Sequence, residues 1–125
     1  MLTLVIIAVG ATCGAALRYS VSVWAAQRFG IMFPYGTLLV NVCGSFLLGT
    51  FLTLAAARPW VSSDLRLLVS TGFCGSLTTF STFGYETVQL FQQGHYLTGV
   101  LYALGSVLLG LGAVALGMAL VRVAT

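Results

Sequence analysis

Ionisable side chains are scarce in this chain of 125 residues, which has two acidic residues, five arginines, one histidine and no lysine. Asp64 is predicted to lie in a loop, so Glu86 is the one carboxylate within an apolar segment. A proton-coupled exporter needs a titratable carboxylate inside the membrane, and a cation channel favours rings of acidic residues. The shortage of carboxylates therefore argues against both classes.

The few charged and reactive groups also fail to form other kinds of site. The arginines are isolated and make no basic patch, so no nucleic-acid partner is expected despite a net charge of +3 and a pI near 9.0. No nucleophile, base and orienting group occur together, which gives enzyme chemistry no support. Cys13, Cys43 and Cys74 are widely spaced and are interpreted as packing residues, and the single His95 as a solvated loop residue.

Long apolar stretches make up most of the chain: 59% of its residues are hydrophobic, 6% are charged, and the mean hydropathy is +1.07. This composition predicts a membrane protein. The apolar blocks cover about 2–24, 36–57, 65–91 and 97–121, each close to the ~20 residues that a tilted span needs. The prediction is one all-α domain, 1–125, of four transmembrane helices. No basic segment precedes the first block, so a cleaved signal peptide is not expected.

The arginines are only weakly biased between the two predicted membrane faces. Arg58, Arg66 and Arg122 share a face with the N-terminus, whereas Arg28, with or without Arg18, lies toward the other. An excess of Lys and Arg in short loops sets the orientation of a membrane protein. A near balance leaves either insertion open, and a mixed population favours antiparallel assembly.

The third block contains a run, 72–84, that is rich in Gly, Ser and Thr where a lipid anchor would have apolar residues. These residue types weaken helix propensity, and non-helical backbone at membrane depth survives only where protein buries it or a polar pathway passes it. If the helix resumes after the break, Phe80 and Phe83 share one face. The run therefore predicts a broken helix that lines a conduction path.

Two polar residues in the first two blocks each allow two interpretations. Arg18 follows Gly10 and Gly14 at intervals of four residues, and its side chain either snorkels to headgroups or forms an anion-attracting vestibule. Asn41 either joins helices through its amide or donates its N–H groups to an anion. The sequence alone leaves both choices open.

The remaining polar residues of the spans have packing as their first interpretation. Glu86 lies one turn beyond Phe83 and is interpreted as a helix-packing partner in preference to a residue of a pore mouth. Tyr102 and Ser106 in the fourth block lie four residues apart, and Gly110 continues the same stripe. Small residues at this spacing are typical of close helix contacts and do not by themselves indicate a pore.

Three stretches of the sequence, 14–19, 36–46 and 72–83, resemble the Fluc (CrcB) family of fluoride channels. The resemblance covers nearly the whole chain, and the Thr-Thr-Phe-Ser-Thr-Phe run at 78–83 is its most specific part. It implies a passive, fluoride-selective channel in the cell inner membrane. It further implies an antiparallel, dual-topology homodimer with two pores and a central structural sodium ion.

The resemblance also implies roles for individual residues. The backbone carbonyls of Gly75 and Thr78 would hold the sodium, and Phe80 and Phe83 would turn their ring edges toward the anion. Arg18 would raise the local anion concentration. Donors along the fluoride path would come from Asn41, Ser81, Thr82, Tyr102 and Ser106. The sequence departs from the commoner family pattern at Ser76, Gly84 and Gly110.

Two other classes of protein share some of these features. A small multidrug-type proton-coupled transporter also has four short spans and dual topology, but its first span should carry a glutamate and 2–24 contains none. A noncatalytic subunit of a larger membrane complex would explain the glycine stripes, but it gives no reason for the run at 78–83.

Overall fold

The structure, a computed structural model, describes all residues from 1 to 125 and contains helices but no strands. The helices are α1 (Leu2–Phe29), α2 (Tyr35–Ala57), α3 (Ser63–Arg66), the π-helical segment (Leu67–Cys74), α4 (Gly75–Leu77), α5 (Phe80–Gln92) and α6 (Tyr96–Ala124). Helix α3 continues directly into the π-helical segment and then into the short helix α4, so these three form one helical path.

Three of the helices, α1, α2 and α6, are long and apolar enough to cross a membrane. They coincide with the predicted blocks 2–24, 36–57 and 97–121, and α1 and α6 extend several residues past the ends of those blocks. The prediction of an all-α, multi-pass membrane protein is therefore confirmed.

The third block, 65–91, forms two helical parts instead of one continuous helix. The path from α3 to α4 ends at Leu77, and α5 begins at Phe80. Between them Thr78 (φ −86°, ψ 154°) and Thr79 (φ −150°, ψ 119°) are extended. Neither part alone reaches the ~20 residues that cross a bilayer.

Glycine contacts bring the helix backbones together in two pairs. A Cβ atom on Gly10 or Gly14 of α1 would overlap a carbonyl oxygen of the π-helical segment. In the second pair, α2 against α6, a Cβ atom on Gly49 would lie 2.5 Å from the Val114 oxygen, and one on Gly117 would lie 2.6 Å from the Phe46 oxygen. Lipid tails are as apolar as the side chains, so the hydrophobic effect does not drive helices together in a membrane. Small residues at the interface favour association instead, because they let the backbones pack closely.

Many large apolar side chains are exposed on the surface of this chain. Only 18 of 125 residues are buried, and the exposed set includes many large aliphatic and aromatic side chains. In a membrane protein lipid covers such a surface, but polar or aromatic groups exposed next to a break in a helix require another explanation. The candidate site lies at such a break.

Candidate functional site

The extended backbone at Thr79 is held by the amide side chain of Asn41, which projects from α2. Asn41 Oδ1 accepts a hydrogen bond from the Thr79 N–H at 2.7 Å, and Asn41 Nδ2 donates to the Thr79 carbonyl at 3.0 Å. One side chain therefore satisfies both backbone polar groups of a residue that has left the helix. Of the two interpretations of Asn41, this contact is of the helix-joining kind, and it leaves the second Nδ2 hydrogen unused.

Thr79 also starts the next helix. Its hydroxyl oxygen accepts a hydrogen bond from the Thr82 N–H at 3.2 Å and donates to Thr82 Oγ1 at 3.0 Å. This is the N-cap geometry that satisfies an otherwise free N–H at the beginning of a helix. The break is thus stabilised from both sides, by Asn41 on the backbone and by the Thr79 side chain on α5.

Arg18 closes the other end of the break. Its Nε donates to the Ser76 carbonyl oxygen at 3.0 Å, and its side chain is partly buried. A guanidinium at the C-terminal end of a helical path satisfies a free carbonyl and interacts favourably with the helix dipole. Neither interpretation of Arg18 from the sequence named this contact.

Two backbone carbonyls at the break lose their usual helical partners. The Thr79 N–H, which would pair with the Gly75 carbonyl in a continuous helix, donates to Asn41 instead. The Thr82 N–H, which would pair with the Thr78 carbonyl, donates to the Thr79 hydroxyl. The chain has no group of three or more His, Cys, Asp or Glu residues that could hold a metal ion. Any cation at this place would therefore depend on backbone or hydroxyl oxygens, which suit a hard ion.

A groove of about 350 Å³ opens beside the break, between α2, α5 and α6. The Phe80 and Phe83 rings are tilted by 56° with centroids 5.7 Å apart, and Phe80 is 82% exposed. Ser106 Oγ is buried and has no hydrogen-bond partner in the protein. The groove is lined by Asn41, Ser45, Thr78, Thr79, Phe80, Phe83, Ser106, Val107, Gly110, Leu111 and Val114.

A second cavity of about 220 Å³ lies toward the α1–α2 connection and is lined in part by Thr37, Thr82 and Glu86. Beside it the Tyr102 hydroxyl donates to Glu86 Oε1 at 3.1 Å. The Tyr102 ring is fully buried, with the Phe83 ring centroid 5.3 Å away in an edge-on arrangement. Glu86 therefore joins α5 to α6 through a packing contact and also borders a polar cavity.

The structure brings together four of the seven residues predicted for the fluoride path: Asn41, Phe80, Phe83 and Ser106 line the same groove. Thr82 lines the second cavity instead. Ser81 is exposed at the start of α5, with its hydroxyl 3.4 Å from Thr79 Oγ1. The transport roles of these residues, and of Tyr102 against Glu86, remain predictions.

Sequence reasoning missed two contributors to this site. Thr79 holds the break through three of its polar atoms, and the signal for it was a Thr directly before a resumed helix with a second Thr three residues on. Gly44 on α2 leaves room for the Thr78 methyl group, which a Cβ atom at position 44 would overlap. No local pattern indicates that contact, because it joins two distant helices.

Comparison with known proteins supplies the family. The model of the CrcB-like protein family, described as Camphor Resistance (CrcB), matches residues 5–118. A protein of Roseiflexus sp. (strain RS-1) named "Fluoride-specific ion channel FluC" is 51% identical over 105 residues, which cover 84% of this chain and 85% of that protein. Proteins of the same name from Synechococcus sp. (strain JA-2-3B'a(2-13)) and Rhizobium leguminosarum bv. trifolii (strain WSM2304) are 49% and 44% identical, covering 80% and 86% of this chain and 77% and 86% of their own lengths.

The family match covers almost the whole chain. The matched residues 5–118 include the whole of α2, the break and α5, and most of α1 and α6. The helices that build the groove and the backbone that interrupts the third block thus all fall within the shared region. This chain belongs to the CrcB family.

Proposed function

We propose that this chain forms a passive, fluoride-selective channel that lets cytoplasmic fluoride leave the cell. Its relatives carry the printed name of fluoride-specific ion channels, which supports fluoride as the transported ion. Such a function needs donors and shape, and it needs no catalytic group. This agrees with the expectation that the chain is not an enzyme.

The single observation that carries the proposal is the groove at the break, where unused donors and aromatic rings meet. Ser106 Oγ is buried without a partner, and Asn41 retains one N–H that does not bond to Thr79. Fluoride is small and strongly hydrated, so it gives up water only where N–H and O–H groups replace it. An unpartnered buried hydroxyl in a groove is the kind of group that such an ion would satisfy.

The two phenylalanine rings give the groove a second kind of contact. The quadrupole of an aromatic ring has a positive edge, which attracts an anion where no full positive charge is available. Phe83 is fixed by its packing on Tyr102, while Phe80 is largely exposed beside it. In the proposed path both rings present edges to the ion, and Thr82 and Ser81 add hydroxyl groups at the start of α5.

The channel is proposed to be an antiparallel homodimer of protomers that each cross the membrane four times, with the third crossing broken at Thr78 and Thr79. The exposure of Phe80 and the open side of the groove support a partner protomer at this face. Because Arg18 bonds at the break, the arginines at the helix ends number three on one face and one, Arg28, on the other, a weak bias that leaves insertion in both orientations open. The bacterial relatives support a cell inner membrane location.

A sodium ion is proposed at the carbonyls of Gly75 and Thr78, near the axis of the dimer. The fit rests on the lost helical partners of both carbonyls and on the absence of an acidic or thiol cluster. When bound, the ion would supply positive charge that holds the released carbonyls and ties the two protomers together. Asn41 and Arg18 bond to the neighbouring backbone at Thr79 and Ser76.

The physiological role follows from acid–base chemistry. Hydrogen fluoride crosses membranes as a neutral molecule and ionises in a near-neutral cytoplasm, which traps fluoride inside. A passive anion pathway lets the ion leave down its gradient without ATP or a coupled proton. The shortage of membrane carboxylates agrees with transport that is not proton-coupled.

The test is fluoride efflux from liposomes that contain the purified protein, measured with a fluoride electrode. Fluoride should leave rapidly down its gradient with no pH gradient or nucleotide, while chloride efflux from matched liposomes stays at the protein-free level. Efflux that requires an opposing proton gradient would indicate a coupled transporter. Equal release of chloride would refute fluoride selectivity.

A further inference from the structure

The groove that Ser106 lines also contains the hydroxyl of Ser45, which has no part in the fluoride path proposed above. Ser45 lies one turn after Asn41 on α2, so the two side chains share a face of that helix. Ser106 and Gly110 have the same spacing on α6, which packs against α2. All four residues line the same groove.

The Ser45 hydroxyl is the group that a side chain at position 110 would contact. A Cβ atom placed on Gly110 would lie 3.8 Å from Ser45 Oγ, and apart from its chain neighbours and the backbone of its own helix no other atom would lie within 4 Å. Gly110 thus leaves a gap in the α6 wall of the groove, and the Ser45 hydroxyl borders that gap from α2. The distance is that of an ordinary van der Waals contact, so a small side chain at position 110 fits without displacing its neighbour.

The Ser45 hydroxyl is also free to donate. Several other hydroxyl groups on the long helices, those of Thr12, Ser20 and Thr50, donate to the carbonyl one turn earlier. No hydrogen bond of this kind involves Ser45 or Ser106, and Ser106 Oγ is buried without any partner. Two hydroxyl groups that do not bond back to their own helices therefore face one groove from opposite walls.

We infer that Ser45 is a donor to the anion in this groove and supplies from α2 a hydroxyl beside the gap that Gly110 leaves in α6. The inference rests on the proposed function, because it assigns a further contact to the same fluoride path. A small anion that passes Ser106 would exchange its hydrogen bond with Ser106 for one with Ser45, one helical turn along the groove. Between Ser106 and Gly110 the anion would therefore move from a donor on α6 to a donor on α2.

The experiment measures fluoride efflux from liposomes containing full-length protein with Ser45→Ala, with Ser45→Ala plus Gly110→Ser, or with neither change. Loss of one hydrogen bond to a charged group should lower the efflux of Ser45→Ala by about tenfold. Restoring a hydroxyl from the opposite wall, with Gly110→Ser, should return the efflux to within about threefold of the unmodified protein. Ser45→Ala with Gly110→Ala fills the same space without adding a hydroxyl and should not restore efflux, so rescue by Gly110→Ser alone indicates contact with the anion and not repaired packing.

Two matched controls sharpen the result. Ser20→Ala removes a hydroxyl that bonds to its own helix at an exposed position and should leave efflux unchanged. Gly112→Ser adds a hydroxyl on α6 where no other helix comes within 4 Å of the new Cβ, and it should not rescue Ser45→Ala. Normal efflux in Ser45→Ala would overturn the inference, as would failure of Gly110→Ser to rescue or equal rescue by Gly112→Ser. Absence of fluoride efflux in the unmodified protein would instead refute the proposed function.

Discussion

Asn41 is the residue on which the site depends most, because one amide serves the backbone and the groove together. Its oxygen and one of its N–H groups bond to Thr79, and the side chain also lines the groove. The interpretations of Asn41 as a helix-joining residue and as an anion donor are therefore compatible. A change at this position should affect both the break and the ion path.

Asn41→Asp should lower fluoride efflux at least tenfold. The carboxylate cannot donate to the Thr79 carbonyl, and it places a negative charge in an anion path. Efflux from liposomes measures the effect, with elution on size exclusion as the check on assembly. Gln27→Glu makes the same amide-to-carboxylate change at an exposed position near the end of α1 and should leave efflux near normal. Near-normal efflux in Asn41→Asp would remove Asn41 from the path.

At the scale of helices, the contact between α1 and the π-helical segment depends on glycine. Gly14→Ala should lower the free energy of unfolding by about 1–3 kcal/mol, because the new Cβ would overlap the Phe73 carbonyl oxygen and force the two backbones apart. Gly112→Ala is the matched control, since no other helix comes within 4 Å of the Cβ atom that this change adds. Thermal unfolding in detergent compares the two variants. Equal stability of both would show that the close contact is not required.

The broken helix is the second element with a direct test, and the test uses sodium. Sodium bound to the folded protein should raise the unfolding temperature relative to a sodium-free buffer of equal ionic strength. Gly75→Ala with Ser76→Ala favours continuous helix and should reduce both this sodium effect and fluoride efflux. A steric clash at position 75 would not account for such a loss, because the new Cβ would lie 3.6 Å from the Ser70 oxygen, an ordinary van der Waals distance.

The control for the sodium test is a change in a side chain that leaves the backbone carbonyl in place. Thr78→Ser keeps the hydroxyl that donates to the Cys74 carbonyl and should be milder than the double change. If the double variant folds and conducts like the unmodified protein, with and without sodium, no structural cation is held at this break.

At the scale of the whole molecule, the exposed apolar side chains and the weak bias of the arginines bear on how the protein inserts and assembles. We predict that each terminus lies on both sides of the membrane in a population of molecules. A single cysteine added at either end of a variant without Cys13, Cys43 and Cys74 should react partly with an impermeant thiol reagent in intact cells. Labelling of each terminus from one side only would contradict dual topology. Full labelling after membrane disruption provides the control.

The sequence predicted the positions of the helices better than the contacts between them. Hydropathy located α1, α2 and α6, because a span must be apolar over most of its length. It ended α1 too early, since the helix continues through Phe29 to a cap at Gly30, where φ is 82°. Hydropathy shows how apolar a segment is, but it does not show where the hydrogen bonds of the helix end.

The details of the site were less predictable because they join distant parts of the chain. The composition of 72–84 located the break, but the bonds of Asn41 to Thr79 and of Arg18 to Ser76 span 38 and 58 positions. Such pairs depend on how helices pack, which no local pattern records. For the same reason the burial of Tyr102 against Glu86 could not be read from the stripe of Tyr102, Ser106 and Gly110.

The groove at the break is proposed to conduct fluoride through contacts with the Phe80 ring. The most direct measurement is fluoride efflux from liposomes containing Phe80→Ile, compared with Phe29→Ile, which changes another exposed phenylalanine near the end of α1. An aliphatic side chain has no positive edge to replace lost hydration, so efflux should fall at least tenfold in Phe80→Ile and stay normal in Phe29→Ile, with both variants eluting as the unmodified protein does. Normal fluoride efflux in Phe80→Ile would contradict the account and leave Phe80 as a packing residue.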